Sequence, residues 1–134
     1  MARTQRPMIT KTHLPVSALP DHMDDTLENI RDKVNQFVEE RDWKQFHSPR
    51  NLAESISIEA AELLEIFQWG QKLGPEEHEH LREELADVMI YCISMANALE
   101  IDMSSAIMEK LEKNARKYPI DKATGNAKKY TKLE

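Results

Sequence analysis

Two helical stretches of this chain carry acidic pairs inside stripes that are otherwise apolar: Glu59 with Glu62, and Glu84 with Asp87. Each pair is spaced i, i+3. At about 100° per residue the second carboxylate lies roughly 60° from the first, so both face one side of a helix. Glu59 shares its arc with Leu52, Ile56, Leu63 and Ile66, and Glu84 shares its arc with Leu81, Val88, Tyr91 and Met95. A carboxylate in a core-facing stripe is costly unless something cationic answers it. Two such pairs therefore favour a fold that brings the two helices together around a hard divalent ion, most simply Mg²⁺. Glu54, Glu65 and Glu83 project away from that arc and read as ordinary solvated flanks.

Start and stop signals delimit the helices. Residues 1–24 hold Pro7, Pro15 and Pro20 without periodicity and read as a flexible arm. The Asp24-Asp25-Thr26 cap region opens a first helix with Leu27, Ile30, Val34, Phe37 and Val38 inward, predicted to end near Glu40. Ser48-Pro49 starts a second helix, predicted to run to about Trp69 and to stop before Gly70. Gly74-Pro75-Glu76-Glu77 starts a third, running to about Leu99. From Leu85 to Met95 that helix is apolar nearly all round, which favours cover by an oligomer interface. Asp102 caps a fourth helix, Met103 to Lys117, with Ile107, Met108 and Leu111 predicted inward, and Tyr118-Pro119 ends it. The domain organisation expected is the arm, a helical domain over 25–119, and a Lys-rich tail over 120–134 without periodicity. Only 3 Gly and few β-branched runs agree with an all-α chain.

The charge and the single cysteine narrow the function classes. A net charge of −6 speaks against a generic nucleic-acid-binding surface. No apolar run is long enough to span a membrane, and no signal peptide is visible. Cys92 is the one cysteine, so a disulfide within the chain is excluded and a reducing compartment, the cytoplasm, is expected.

Other residues admit two readings each. Trp43, Phe46 and Trp69 flank the helix that carries Glu59; they suit stacking on a nucleobase, or plain core packing. His47 suits a hydrogen bond to a ligand or to the following turn. Lys110, Asn114 and Lys117 share one face of the last helix, suited to phosphate oxygens or simply to water. His78 and His80, among Glu76, Glu77 and Glu79, read as exposed residues of a helix start. A di-iron bundle would need two Glu-x-x-His motifs, and Glu77-x-x-His80 is the one candidate. A non-enzymatic helical oligomerisation or adaptor protein is the remaining class.

Taken together, these residues resemble the all-α nucleoside triphosphate pyrophosphohydrolases, the MazG-like family, and within it the dCTP pyrophosphatase branch. The family motif, Glu-x-x-Glu on one helix and Glu-x-x-Asp on the next, is matched by Glu59, Glu62, Glu84 and Asp87, with Glu65 matching a further Glu. Glu40-Arg41-Asp42-Trp43 through Phe46-His47, Pro49 to Leu52, Phe67-Gln68-Trp69, Lys110 to Pro119 and Lys129-Tyr130-Thr131 extend the likeness over roughly residues 26–132.

The resemblance implies a four-helix protomer assembling as a dimer of dimers, with active sites built partly across subunits. It implies Mg²⁺-dependent hydrolysis of a (deoxy)nucleoside triphosphate, dCTP or a modified dCTP foremost, to the monophosphate and pyrophosphate. Glu59, Glu62, Glu84 and Asp87 would be metal ligands. Trp43, Trp69 and Tyr91 would meet base and sugar, and Lys110, Asn114 and Lys117 would hold phosphates; His47 stands with them as a substrate-binding candidate. One position departs from the animal-type pattern, which has a histidine where this chain has Val34.

Overall fold

The computed structural model describes residues 26–70 and 72–133. The arm expected over residues 1–24 lies outside them. Every regular element among the described residues is helical: α1 (Leu27–Glu39), α2 (Pro49–Glu65), α3 (Pro75–Ala98), α4 (Met103–Lys117) and the single turn α5 (Ile120–Ala123). Three 3₁₀ turns, Trp43–Phe46, Gln68–Gly70 and Tyr130–Lys132, punctuate them. The all-α expectation holds.

Local chemistry sets the helix starts. Thr26 Oγ1 accepts from the Asn29 amide at 3.2 Å, Ser48 Oγ from Asn51 at 3.2 Å, and Asp102 Oδ1 from Ser105 at 3.0 Å. Each satisfies an amide that has no partner inside its helix. At the start of α3 the Gly74 N–H donates instead to Glu77 Oε2 at 3.0 Å. That oxygen would lie 2.7 Å from a Cβ at position 74, so a side chain there would make the flexible Glu77 carboxylate shift. At the other end of α3, Ile101 N–H reaches Ala96 O at 2.9 Å and Glu100 N–H reaches Asn97 O at 3.3 Å. This paired closure puts Glu100 in the left-handed region, φ 53°.

α2 ends at Glu65, four residues before the predicted Trp69. The apolar pattern continues through Phe67, but Phe67 N–H already bonds Leu64 O, three residues back, and Trp69 and Gly70 have φ of 67° and 68°. Two successive left-handed residues cannot continue a right-handed helix.

Packing centres on α2 against α3, with α1 laid on α3. The buried apolar core is Val38 of α1, Leu52 of α2, Tyr91, Ile93 and Ala96 of α3, and Ile66 just beyond α2. At the end of α1 the Arg41 guanidinium lies 3.6 Å from the Phe37 ring centroid, and Trp43 meets the same ring edge-on at 5.7 Å. The short 3₁₀ segment is thus pinned to the helix before it.

α4 departs from the expected bundle. It packs on none of α1, α2 or α3 to a comparable extent. Ile107, Met108 and Leu111, expected inward, are all exposed. The stripe exists, but among the described residues no helix packs on α4 as α1 and α2 pack on α3. Leu85 and Met89 of α3 are exposed as well. The tail is more ordered than its composition indicated: Tyr130 packs edge-on against Tyr118 with centroids 6.0 Å apart, and Lys117 Nζ sits 4.9 Å from the Tyr130 ring.

Candidate active site

The α2–α3 contact brings carboxylates into the core. Glu59, on the same face of α2 as the buried Leu52 two turns earlier, is itself buried at 7% exposure, and Glu84 of α3 is buried at 2%. Asp87, one turn along α3, is half-buried. One oxygen from each of the three lies within 4.8 Å of the others. Like charges at such separations repel, and a divalent cation bound by all three offsets that repulsion.

Glu62 stands outside this group: it is half-buried one turn beyond Glu59. The comparison glutamates behave as their helical positions indicate in two cases of three. Glu54 is exposed and accepts from Arg50 Nε at 3.0 Å, and Glu65 is exposed, whereas Glu83 is half-buried.

His80 is exposed, as expected from the sequence, and its Nε2 also lies 2.9 Å from Glu84 Oε1, a contact the sequence reading does not include. The signal was present in the i, i+4 spacing, which places the two on one face. It was obscured by the surrounding acidic helix start, which made both nearby histidines read as solvated.

The remaining candidates divide. Tyr91 is buried one turn beyond Asp87 on the same stripe of α3. Trp43 is half-buried against Phe37. His47 is half-buried and lines a cleft of about 560 Å³ between α1 and α3, together with Asn35, Val38, Ser94 and Asn97. Burial pushes its imidazole below the ordinary value of 6.5. Trp69 is 88% exposed. Lys110 and Lys117 are exposed and Asn114 half-buried on α4, which packs on α2 and α3 less extensively than those two pack on each other. Within one chain, therefore, the acidic group and Tyr91 share one helix pair, while Trp69 and the α4 residues stand on other elements.

Buried carboxylates converging from two packed helices define a class of all-α proteins whose acidic group can hold a divalent cation. Residues 54–133 match the MazG-like family model, and the chain belongs to that family. It is 42% identical over 115 residues to dCTP pyrophosphatase 1 of Homo sapiens, and equally to that of Bos taurus, the match covering 81% of this chain and 68% of each relative. Among solved structures it is similar to a pyrophosphatase from Archaeoglobus fulgidus, with a TM-score of 0.62 and 43% identity, over 74% of this chain and 97% of that one.

Proposed function

We propose that the protein is a Mg²⁺-dependent nucleoside triphosphate pyrophosphohydrolase acting on dCTP or a modified dCTP, releasing the monophosphate and pyrophosphate. The observation that carries this reading is the acidic group of buried Glu59 and Glu84 with half-buried Asp87, in a chain 42% identical to dCTP pyrophosphatase 1. An all-oxygen donor set of anionic carboxylates suits a hard cation, and Mg²⁺ fills its remaining positions with water and phosphate oxygens. Glu59, Glu84 and Asp87 would hold the ion, with Glu62 turning in from the next turn of α2. When bound, the ion supplies Lewis-acid polarisation of the phosphate oxygens.

The chain's own part is position and proton handling. Water adds to the α-phosphorus, the bond from that phosphorus to the bridging oxygen breaks, and pyrophosphate leaves with the bonding electrons. A carboxylate of the acidic group accepts the proton of the attacking water. Tyr91, Trp43 and His47 receive sugar and base near the α1–α3 contact. Trp69, with Lys110, Asn114 and Lys117 for the phosphates, completes the site from a neighbouring subunit of a homotetramer, a dimer of dimers. The stripes of α4 and α3 support that assembly, since Ile107, Met108, Leu111, Leu85 and Met89 are exposed apolar side chains among the described residues. We place the enzyme in the cytoplasm on its single cysteine, Cys92. Among the described residues no helix is long and apolar enough to cross a membrane.

A panel of the common nucleoside triphosphates and 5-modified dCTP, each with Mg²⁺, tests the substrate. Preferential turnover of the cytosine nucleotides is expected. Equal turnover of all bases would overturn the cytosine assignment, and Val34 would then mark where the selectivity is lost.

A further inference from the structure

His80 has no part in the reaction as derived above, yet it touches the most deeply buried carboxylate of the acidic group. Its Nε2 lies 2.9 Å from Glu84 Oε1. The two side chains differ sharply in environment: that of His80 is 52% exposed and that of Glu84 is 2% exposed. The helix explains how they meet. Cα–Cβ bonds tilt toward a helix N-terminus, so Glu84 leans back over the turn that carries His80, one turn earlier. Asp87 follows Glu84 at i, i+3 on the same side. Glu84 therefore has an imidazole one turn behind it and another carboxylate of the group one turn ahead.

We propose that His80 is a positioning residue for the metal centre: its ring donates Nε2–H to Glu84 Oε1 and fixes the carboxylate's rotation, keeping its other oxygen for the cation. This rests on the reading of Glu84 as a ligand. The direction of donation follows from chemistry, because an ionised carboxylate can only accept, so the ring nitrogen facing it must carry the proton. Glu84 is a three-torsion side chain whose terminal torsion is broad. Tethering one oxygen removes that freedom before the ion arrives, and the hydrogen bond is of the charge-assisted, stronger kind. Partners of this type typically change metal affinity by about 10–100-fold when removed. A half-exposed ring can fill this role with little share in the core, so its removal should leave the fold unharmed.

The test uses direct binding of Mn²⁺, followed by the loss of the free-ion EPR signal, on full-length protein. His80→Ala is expected to weaken Mn²⁺ binding by about 10-fold or more, with helical signal and melting temperature unchanged without metal. His80→Gln, whose amide can donate from nearly the same point, is expected to recover most of that affinity; a role in packing alone would give no such rescue. Wild-type affinity in His80→Ala would overturn the proposal. So would ¹⁴N coupling in the pulsed EPR of bound Mn²⁺, since it would make the imidazole a ligand. Glu84→Gln separates the two levels of the argument. If it binds Mn²⁺ as wild type does, the ligand assignment itself has failed; if it loses binding while His80→Ala does not, only the positioning role has failed.

Discussion

Glu59 on α2 and Glu84 on α3 face one another across the main helix contact of the protein, with carboxylate oxygens within 4.8 Å and both side chains buried. Two helices can hold anions this close in a core only if the arrangement gains something that hydrophobic residues would not supply. The group can hold a cation, and under the proposed function cation binding would be that gain and would make the site's stability depend on the ion.

Glu59→Gln and Glu84→Gln should each lower turnover by on the order of 100-fold or more, the scale of removing a positioned charge from an active site. Wild type should gain thermal stability with added Mg²⁺, about 2.7 kcal/mol at a hundred times the dissociation constant. The variants should gain little. Activity assays and melting curves with and without Mg²⁺ check both parts.

The exposed Ile107, Met108 and Leu111 stripe of α4 carries the next expectation. If the proposed tetramer forms through this stripe, Leu111→Asp should shift the sedimentation profile from tetramer to smaller species. Activity should fall with it, by on the order of 100-fold, because Lys110, Asn114 and Lys117 would no longer be held over the phosphates. Sedimentation and turnover measured on the same sample test whether the two losses move together.

Helix boundaries were largely legible in the residues because caps are local chemistry. Ser48 and Asp102 announced α2 and α4, and α4 begins and ends where predicted. The burial of Glu59 and Glu84 was legible too, since their neighbours on the helix are aliphatic. What the pattern could not supply was the partner of an apolar face: the stripe of α4 is equally compatible with its own chain and with another. Nor does periodicity register left-handed backbone, so the apolar pattern predicts α2 beyond Glu65, to Trp69. Glu62 illustrates a further limit. Its helical position is close to that of Glu59, but joining the acidic group also depends on a side-chain rotation that sequence does not specify.

Glu100 offers a test of backbone strain. It occupies the left-handed closing position of α3 with φ 53°, where glycine carries no Cβ penalty. Glu100→Gly should raise stability by about 0.5–1 kcal/mol after allowing for the freer unfolded chain. A rise in the urea midpoint with an unchanged slope is the expected reading.

Burial holds the His47 imidazole below its ordinary value, and the sign of the consequence is fixed by linkage. The unfolded chain takes up a proton near pH 6.5, whereas the folded chain does so only at lower pH. The contribution of neutral His47 to stability is therefore complete above pH 6.5 and is lost as the pH falls through the folded value. His47→Gln should flatten the stability profile below pH 6.5 and leave it similar at pH 8, as measured by urea unfolding across that range.

Under the proposed function the carboxylate group directs water to the α-phosphorus. Hydrolysis of dCTP with Mg²⁺ in ¹⁸O-labelled water, with products separated and weighed by mass spectrometry, tests it most directly. Equimolar dCMP and pyrophosphate are expected, with the label in dCMP; dCDP with orthophosphate, label in the pyrophosphate, or no turnover would contradict this role.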